Sequence, residues 1–214
     1  MNQPPKSSDK KIRGAFKMPK RVKITGRIST ITNSFVQAII PVEPPSGADV
    51  LEVLKLLGMT PENIRCAYCG VSATEWDHIN PLVANKQPTG YWSTISNLVP
   101  ACGKCNQSKG GRHWRVWMTG PARQSPASRE IADLPQRVER LASYERLSGV
   151  RHENFEALVG DELWQEYQRA GKRVEDAMRD AQAVAEHVRA ELRLALESIK
   201  AIKPQSPAAG EPTL

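Results

Sequence analysis

All four cysteines fall in two Cys-x-x-Cys pairs, "CAYC" (Cys66, Cys69) and "CGKC" (Cys102, Cys105), with 32 residues between the pairs. Two such knuckles can bring four thiolates to one tetrahedral ion, and Gly70 and Gly103 supply the backbone freedom that tight knuckles use. A redox dithiol needs only one pair and leaves the other unexplained. Disulfides do not persist in a reducing compartment. The spacing therefore predicts a structural Zn²⁺ on Cys66, Cys69, Cys102 and Cys105. A closed four-thiolate site leaves no open position for a substrate, so this ion holds the fold and performs no chemistry. The same clamp ties off the intervening segment as a loop and holds Asp77, His78 and Asn97 above the second knuckle.

Within that loop, "TEWDHI" and "NLVP" have the apolar and β-branched character of two short strands. "CGKCNQSKGGRHWRVWM" reads as one helix, with Asn106 near its start and Trp114 and Trp117 one turn apart for packing. The product is a strand, strand, helix unit of α+β class. Adjacent side chains of a strand point to opposite faces, so Asp77 and His78 can address one group only where the strand ends; Pro81 supplies the ending. Hydrolysis of a phosphodiester needs an activated water and a cation to offset charge on the phosphorus oxygens. His78, with an unperturbed pKa near 6.5, can take a proton from water at neutral pH. Asp77 and Asn106 offer hard oxygen ligands that suit Mg²⁺ or Mn²⁺. Each residue also has a plainer reading: a hydrogen-bonded structural histidine, a turn-forming Asn97, a helix N-cap at Asn106. Their joint register with both knuckles favours catalysis.

"DH", Asn97 and then Asn106 nine residues later, enclosed by two Cys-x-x-Cys pairs, resemble the HNH endonuclease family with its small ββα-metal fold, over about residues 62 to 118. "NLVPACGKCNQSKG" is similar to the zinc-containing branch. The resemblance implies a metal-dependent DNA endonuclease with His78 as general base, one Mg²⁺ or Mn²⁺ on Asp77 and Asn106, and Asn97 positioning the His78 segment by hydrogen bonding. It further implies products with 5′-phosphate and 3′-hydroxyl ends. The last position is His or Asn among members, and Asn106 is the variant form. A restriction or other defence role on double-stranded DNA suits such a chain, with homing or phage processing as alternatives. A non-catalytic, zinc-stabilised nucleic-acid-binding module is the rival from another class; it would not require the register of Asp77, His78 and Asn106.

Charge supports a polyanionic partner. The chain has a net charge of +7, and residues 1–27 hold nine Lys or Arg against Asp9 alone, which makes +8 and leaves −1 for the rest. A basic arm, residues 1–21 with Lys17, Lys20 and Arg21, suits contact with nucleic acid, where each neutralised phosphate releases counterions; a solvated tail is the plainer alternative. Lys109, Arg112, His113 and Arg115 lie on or just beyond the expected helix start, where phosphate contact and a solvated helix face are both open. No apolar run approaches the roughly 18 residues of a membrane span, and no apolar stretch follows the basic N-terminus, so a soluble, cytoplasmic protein is expected.

The flanks are read more coarsely. Residues 22–60 are expected to hold an ordered segment of ambiguous type, with a turn capped by Asn33, and a short helix in "ADVLEVLKLLGM". The nuclease core spans 61–118, a linker 119–133, a helical extension 134–203 and a disordered tail 204–214. From Leu163 to Ile199 apolar residues recur at steps of 3 and 4, with one stutter near Val188. That seam can fold back on the helix around "LPQRVERLASYERL" or pair with a second subunit as a homodimer.

Overall fold

The computed structural model describes residues 19–202; the arm up to residue 18, with Lys17, and the expected tail 204–214 lie outside the described residues. The chain divides into two compact units, Ser29–Arg173 and a second made of residues up to Ile28 together with those from Val174 onward.

The larger unit begins within helix α1 (Ile28–Gln37), followed by α2 (Gly47–Leu56). Asn33 lies inside α1 and caps nothing, so the ambiguous segment is helical. Helix α2 starts where Ser46 accepts from the Asp49 amide and Asp49 accepts from the Ser46 amide. That reciprocal cap, worth about 1 kcal/mol, fixes the phase that buries Val53, Leu54 and Leu57.

Next come β1 (Glu75–His78), a two-residue hairpin pair β2 (Val83–Ala84) and β3 (Gln87–Pro88), and β4 (Leu98–Ala101). Strands β1 and β4 are antiparallel, with Asp77 opposite Val99 and His78 opposite Leu98. Pro100 has no amide to give the ladder, and its carbonyl accepts the Ala67 amide at 2.8 Å, which fastens the first knuckle to β4.

The helix expected after Cys102 is two helices, α3 (Gly103–Lys109) and α4 (Trp114–Thr119). Gly110, at φ +52°, ends the first one in a conformation that only glycine takes readily. The break lets α4 turn so that Trp114, Trp117 and Met118 are all buried, with the Trp117 ring meeting the Tyr68 ring edge-on at 5.1 Å. Residues 119–133, expected as a linker, are an ordered strap. Ser125 is fully buried with its hydroxyl on the Gly120 carbonyl, and Arg129 donates to Cys105 Sγ at 3.0 Å. The strap folds because these polar anchors close its turn.

Helix α5 (Leu134–Leu147) packs Leu141, Ala142 and Tyr144 into the same core, and the Tyr144 hydroxyl sits among the carbonyls of Ile95, Ser96 and Leu98. A second cluster joins Val36, Ile40, Leu82 and Phe155 of helix α6 (Phe155–Val159), with Trp92 and Trp164 against it. Helix α7 (Asp161–Ile202) begins in this unit, where Tyr167 stacks on Phe35 at 4.7 Å.

In the smaller unit, a 3-10 turn at Ile24–Arg27 is tied to α7 by the Ile24 amide on Gln182 Oε1 at 2.7 Å. Arg21 pairs with Glu186 at 3.0 Å while Lys20 is exposed. Along the seam, Val184, Val188, Leu192 and Ile199 are exposed. No helix among the described residues is long and apolar enough to cross a membrane.

Candidate active site and four-cysteine centre

The first knuckle is a turn in which the Cys66 amide donates to the Val71 carbonyl at 2.7 Å and the Gly70 amide to the Cys66 carbonyl at 2.8 Å. The second leads into α3, with Cys102 as its N-cap residue and Cys105 in its first turn. All four cysteines are buried, unbridged thiols, and their sulfurs lie within 4.8 Å of one another; Cys69 and Cys102 are 3.7 Å apart. Metal–sulfur bonds of about 2.3 Å in a tetrahedron place sulfurs roughly 3.8 Å apart, so the quartet fits a zinc-sized ion. Hydrogen bonds from Cys105 and Cys66 hold the Cys69 thiol far below its usual range, while bonds to Cys66 and Cys69 push Cys105 far above it. Four sulfurs crowded this closely could hold one cation among them.

Strand β1 ends at His78, and the two candidate side chains part there. Asp77 points into the interior, only 6 % exposed, where its Oδ2 accepts the Tyr68 hydroxyl at 2.6 Å. The Lys109 ammonium pairs with it at 3.2 Å and also donates to the His78 carbonyl at 2.7 Å. Burial pushes the Asp77 carboxyl up against the lowering pull of Lys109, and burial lowers Lys109 against the raising pull of Asp77. The pair is held by mutual need.

The His78 ring leaves the strand on the other side, with Nε2 2.8 Å from Ser93 Oγ. Burial, with the positive charge of Lys109 behind it, brings His78 down to about 4, so the ring is neutral at physiological pH.

Asn97 is fully buried and binds backbone in three places. Its Oδ1 accepts the Asn80 amide at 3.0 Å, and its Nδ2 donates to the carbonyls of Asn80 at 3.1 Å and Trp92 at 3.2 Å. The Asn97 carbonyl accepts the Ile79 amide at 2.9 Å. This asparagine fastens the chain just past His78 to the loop that carries Ser93.

Asn106 is not an N-cap, since Cys102 holds that place; it lies one turn into α3 and donates to Glu75 Oε2 at 2.6 Å. Glu75 is the residue that pattern reading passed over. It stands two positions before Asp77 on one side of β1, and a Cβ at Gly103 would lie 2.8 Å from its Oε1, so a larger residue there would push the carboxylate aside. Glu75 and Asn106 are thus joined to each other, whereas both Asp77 oxygens are taken up by Tyr68 and Lys109. Ser93, the partner of His78, lies outside every motif, and Tyr68, the partner of Asp77, stands inside the first knuckle as a residue that the thiol spacing does not specify.

The basic candidates divide. Lys109 is 1 % exposed and belongs to the Asp77 pair, so of the two readings open for it, phosphate contact and a solvated helix face, it takes neither. Its long stem reaches back across α3 to β1. Arg112, His113 and Arg115 are exposed, with Arg112 capping the Lys109 carbonyl and Arg115 lying 4.7 Å over the Trp114 ring.

Residues 66–112 match a family model described as HNH endonuclease. The chain is also 31 % identical over 128 residues to the CRISPR-associated endonuclease Cas9 of Corynebacterium diphtheriae. That alignment takes in 58 % of this chain and 11 % of the relative, so the chain spans about a tenth of the relative's length. No solved structure matches. The family match begins at Cys66, the first thiol of the quartet, and runs through Asp77, His78, Asn97 and Asn106, which identifies residues 66–112 as an HNH endonuclease domain.

Proposed function

We propose that this chain is a metal-dependent endonuclease that hydrolyses phosphodiester bonds of double-stranded DNA, with His78 as general base. The observation that carries the reading is the neutral His78 ring at the end of β1, fixed from both sides by the Asn97 clamp inside the segment that matches HNH endonucleases. A ring that stays unprotonated down to about pH 4 has its lone pair free to take a proton from water. Asn97 keeps the strand end and the Ser93 loop in register. Asp77 and Asn106, with Glu75 beside them, would hold Mg²⁺ or Mn²⁺. That ion would supply Lewis-acid stabilisation of charge on the phosphate oxygens. The cysteine quartet would hold Zn²⁺ as a closed, structural site. Exposed Arg112, His113, Arg115 and Lys20, together with Arg21 and Lys17 of the arm, are the candidates for phosphate contact.

The setting we propose is restriction or another defence process in the cytoplasm; the relative's name, a CRISPR-associated endonuclease, favours it. The exposed seam on α7 extends the proposal to a homodimer, which light scattering across a concentration series checks. The deciding experiment is cleavage of supercoiled plasmid and linear duplex with Mg²⁺, Mn²⁺ or EDTA, comparing wild type with His78→Ala. Cleavage that needs the divalent ion and falls at least a hundredfold in the variant, with DNA binding retained, is expected. Binding by the wild type without any cleavage would leave a non-catalytic module.

A further inference from the structure

Ser93 lies fifteen residues from His78, at the far end of the loop that contains the β2–β3 hairpin, yet its Oγ is 2.8 Å from His78 Nε2. Two backbone bonds of its own and one at the preceding residue fix its position. The Ser93 amide donates to the Pro41 carbonyl at 3.2 Å, and the Ser93 carbonyl accepts the Glu43 amide at 3.2 Å, an isolated parallel bridge centred on Val42. Trp92, the residue before it, gives its carbonyl to Asn97 Nδ2. The serine is therefore set by two independent elements, the segment after α1 and the asparagine that also clamps the strand end. A serine on a flexible loop would need no such bracing.

A neutral imidazole carries one N–H and one bare nitrogen, and the hydrogen bond on one decides the role of the other. If Ser93 donated to Nε2, Nδ1 would carry the proton and the Nε2 lone pair would face the serine, so a water could be deprotonated only after that bond was given up. Resting on the nuclease reading above, we infer that Ser93 is a positioning residue for His78: its Oγ accepts Nε2–H and so leaves Nδ1 as the nitrogen that takes the proton. In the reaction the water proton goes to Nδ1 and the hydroxide oxygen bonds to phosphorus. The bond from phosphorus to the leaving oxygen breaks, and that oxygen takes a proton from solvent. The imidazolium then formed has two N–H groups, and the one on Nε2 keeps its acceptor in Ser93. Through Pro41 and Glu43, the N-terminal segment gains a part in the chemistry that its own residues do not suggest.

The test uses the full chain with Ser93→Ala, Ser93→Val and Ser93→Thr, and has two readouts. Long-range ¹H–¹⁵N spectra of ¹⁵N-histidine-labelled protein, without DNA or divalent ion, report the His78 tautomer directly. The wild type should show Nε2–H, and the alanine variant should lose that preference while its melting curve stays cooperative. In cleavage, Ala and Val should lower turnover roughly ten- to a hundredfold with KM within about twofold, the size of effect that removal of a histidine's orienting partner produces. Thr, which keeps the hydroxyl, should retain most of the rate. A wild-type His78 that carries its proton on Nδ1, or a Ser93→Ala turnover within about threefold of wild type, overturns the inference. If the wild type does not cleave at all but shows the Nε2–H form that Ser93→Ala abolishes, the arrangement is upheld and it is the nuclease reading that fails.

Discussion

Lys109→Met tests the buried ion pair at the centre of the site. Methionine keeps the length and apolar body of the lysine stem and removes only the ammonium. In the wild type that ammonium serves the Asp77 carboxylate at 3.2 Å and the His78 carbonyl at 2.7 Å from a position 1 % exposed. Without it, Asp77 retains the Tyr68 hydroxyl alone and the His78 carbonyl loses its donor. Removing one partner of a buried pair costs about 3–5 kcal/mol, because the remaining charge stays desolvated. At roughly 2–4 °C per kcal/mol for a unit of this size, the melting temperature should fall by about 10 °C at pH 7. The pH dependence carries a sign. Burial already raises Asp77, and loss of the lysine raises it further, so the folded variant holds a proton that the unfolded chain has released. Stability from that proton is present below the unfolded pKa and is lost as pH rises through the folded one, so the deficit is largest near neutrality and shrinks toward acid. Asp77→Asn/Lys109→Met should recover more than half of the loss, since neither charge then remains buried. Calorimetry of the wild type, the two single variants and the double variant at pH 5 and 7 closes the cycle. A single variant that melts within about 2 °C of wild type at pH 7, or a double variant as unstable as the worse single one, would refute the argument.

Two further outcomes follow from the same geometry. His78 is held at about 4 against an unfolded value near 6.5, so the unfolded chain binds the extra proton: its contribution to stability is complete above about pH 6.5 and is lost as pH falls toward 4. His78→Gln should therefore melt with a flatter dependence over that window than wild type, and parallel curves would contradict the assignment. Removal of metal by a strong chelator, or Cys102→Ser, should release one zinc per chain by elemental analysis and lower the melting temperature by more than about 10 °C, since the quartet joins β4, α3 and the first knuckle; a zinc-free protein that melts like wild type would remove the structural role.

What could be read in the chain follows the range of the interactions. The two Cys-x-x-Cys pairs are local, and a metal's demand for four ligands supplies the one long-range constraint, so the closure of residues 66 to 105 is legible without coordinates. The capped helix after Ser46 is legible for the same reason, its signal lying within four residues. The break at Gly110 is written in the adjacent pair Gly110-Gly111, but the spacing of Trp114 and Trp117 also suits a helix, and a helical period carries no sign of where a turn interrupts it. Lys109 shows the limit most plainly. A lysine in a run of polar residues near a glycine reads as solvated, because its usual preference is for water. What buries it is Asp77, 32 residues away, together with a carbonyl freed by the end of β1, and neither is encoded near Lys109. Glu75 and Ser93 are hidden by the same physics, and Tyr68, though inside the first knuckle, is not specified by its cysteine spacing; each meets its partner only after the chain has folded. The motif names the residues whose chemistry is intrinsic, a base and oxygen donors, whereas their tautomer, charge state and direction are set by partners that only the tertiary structure brings to them.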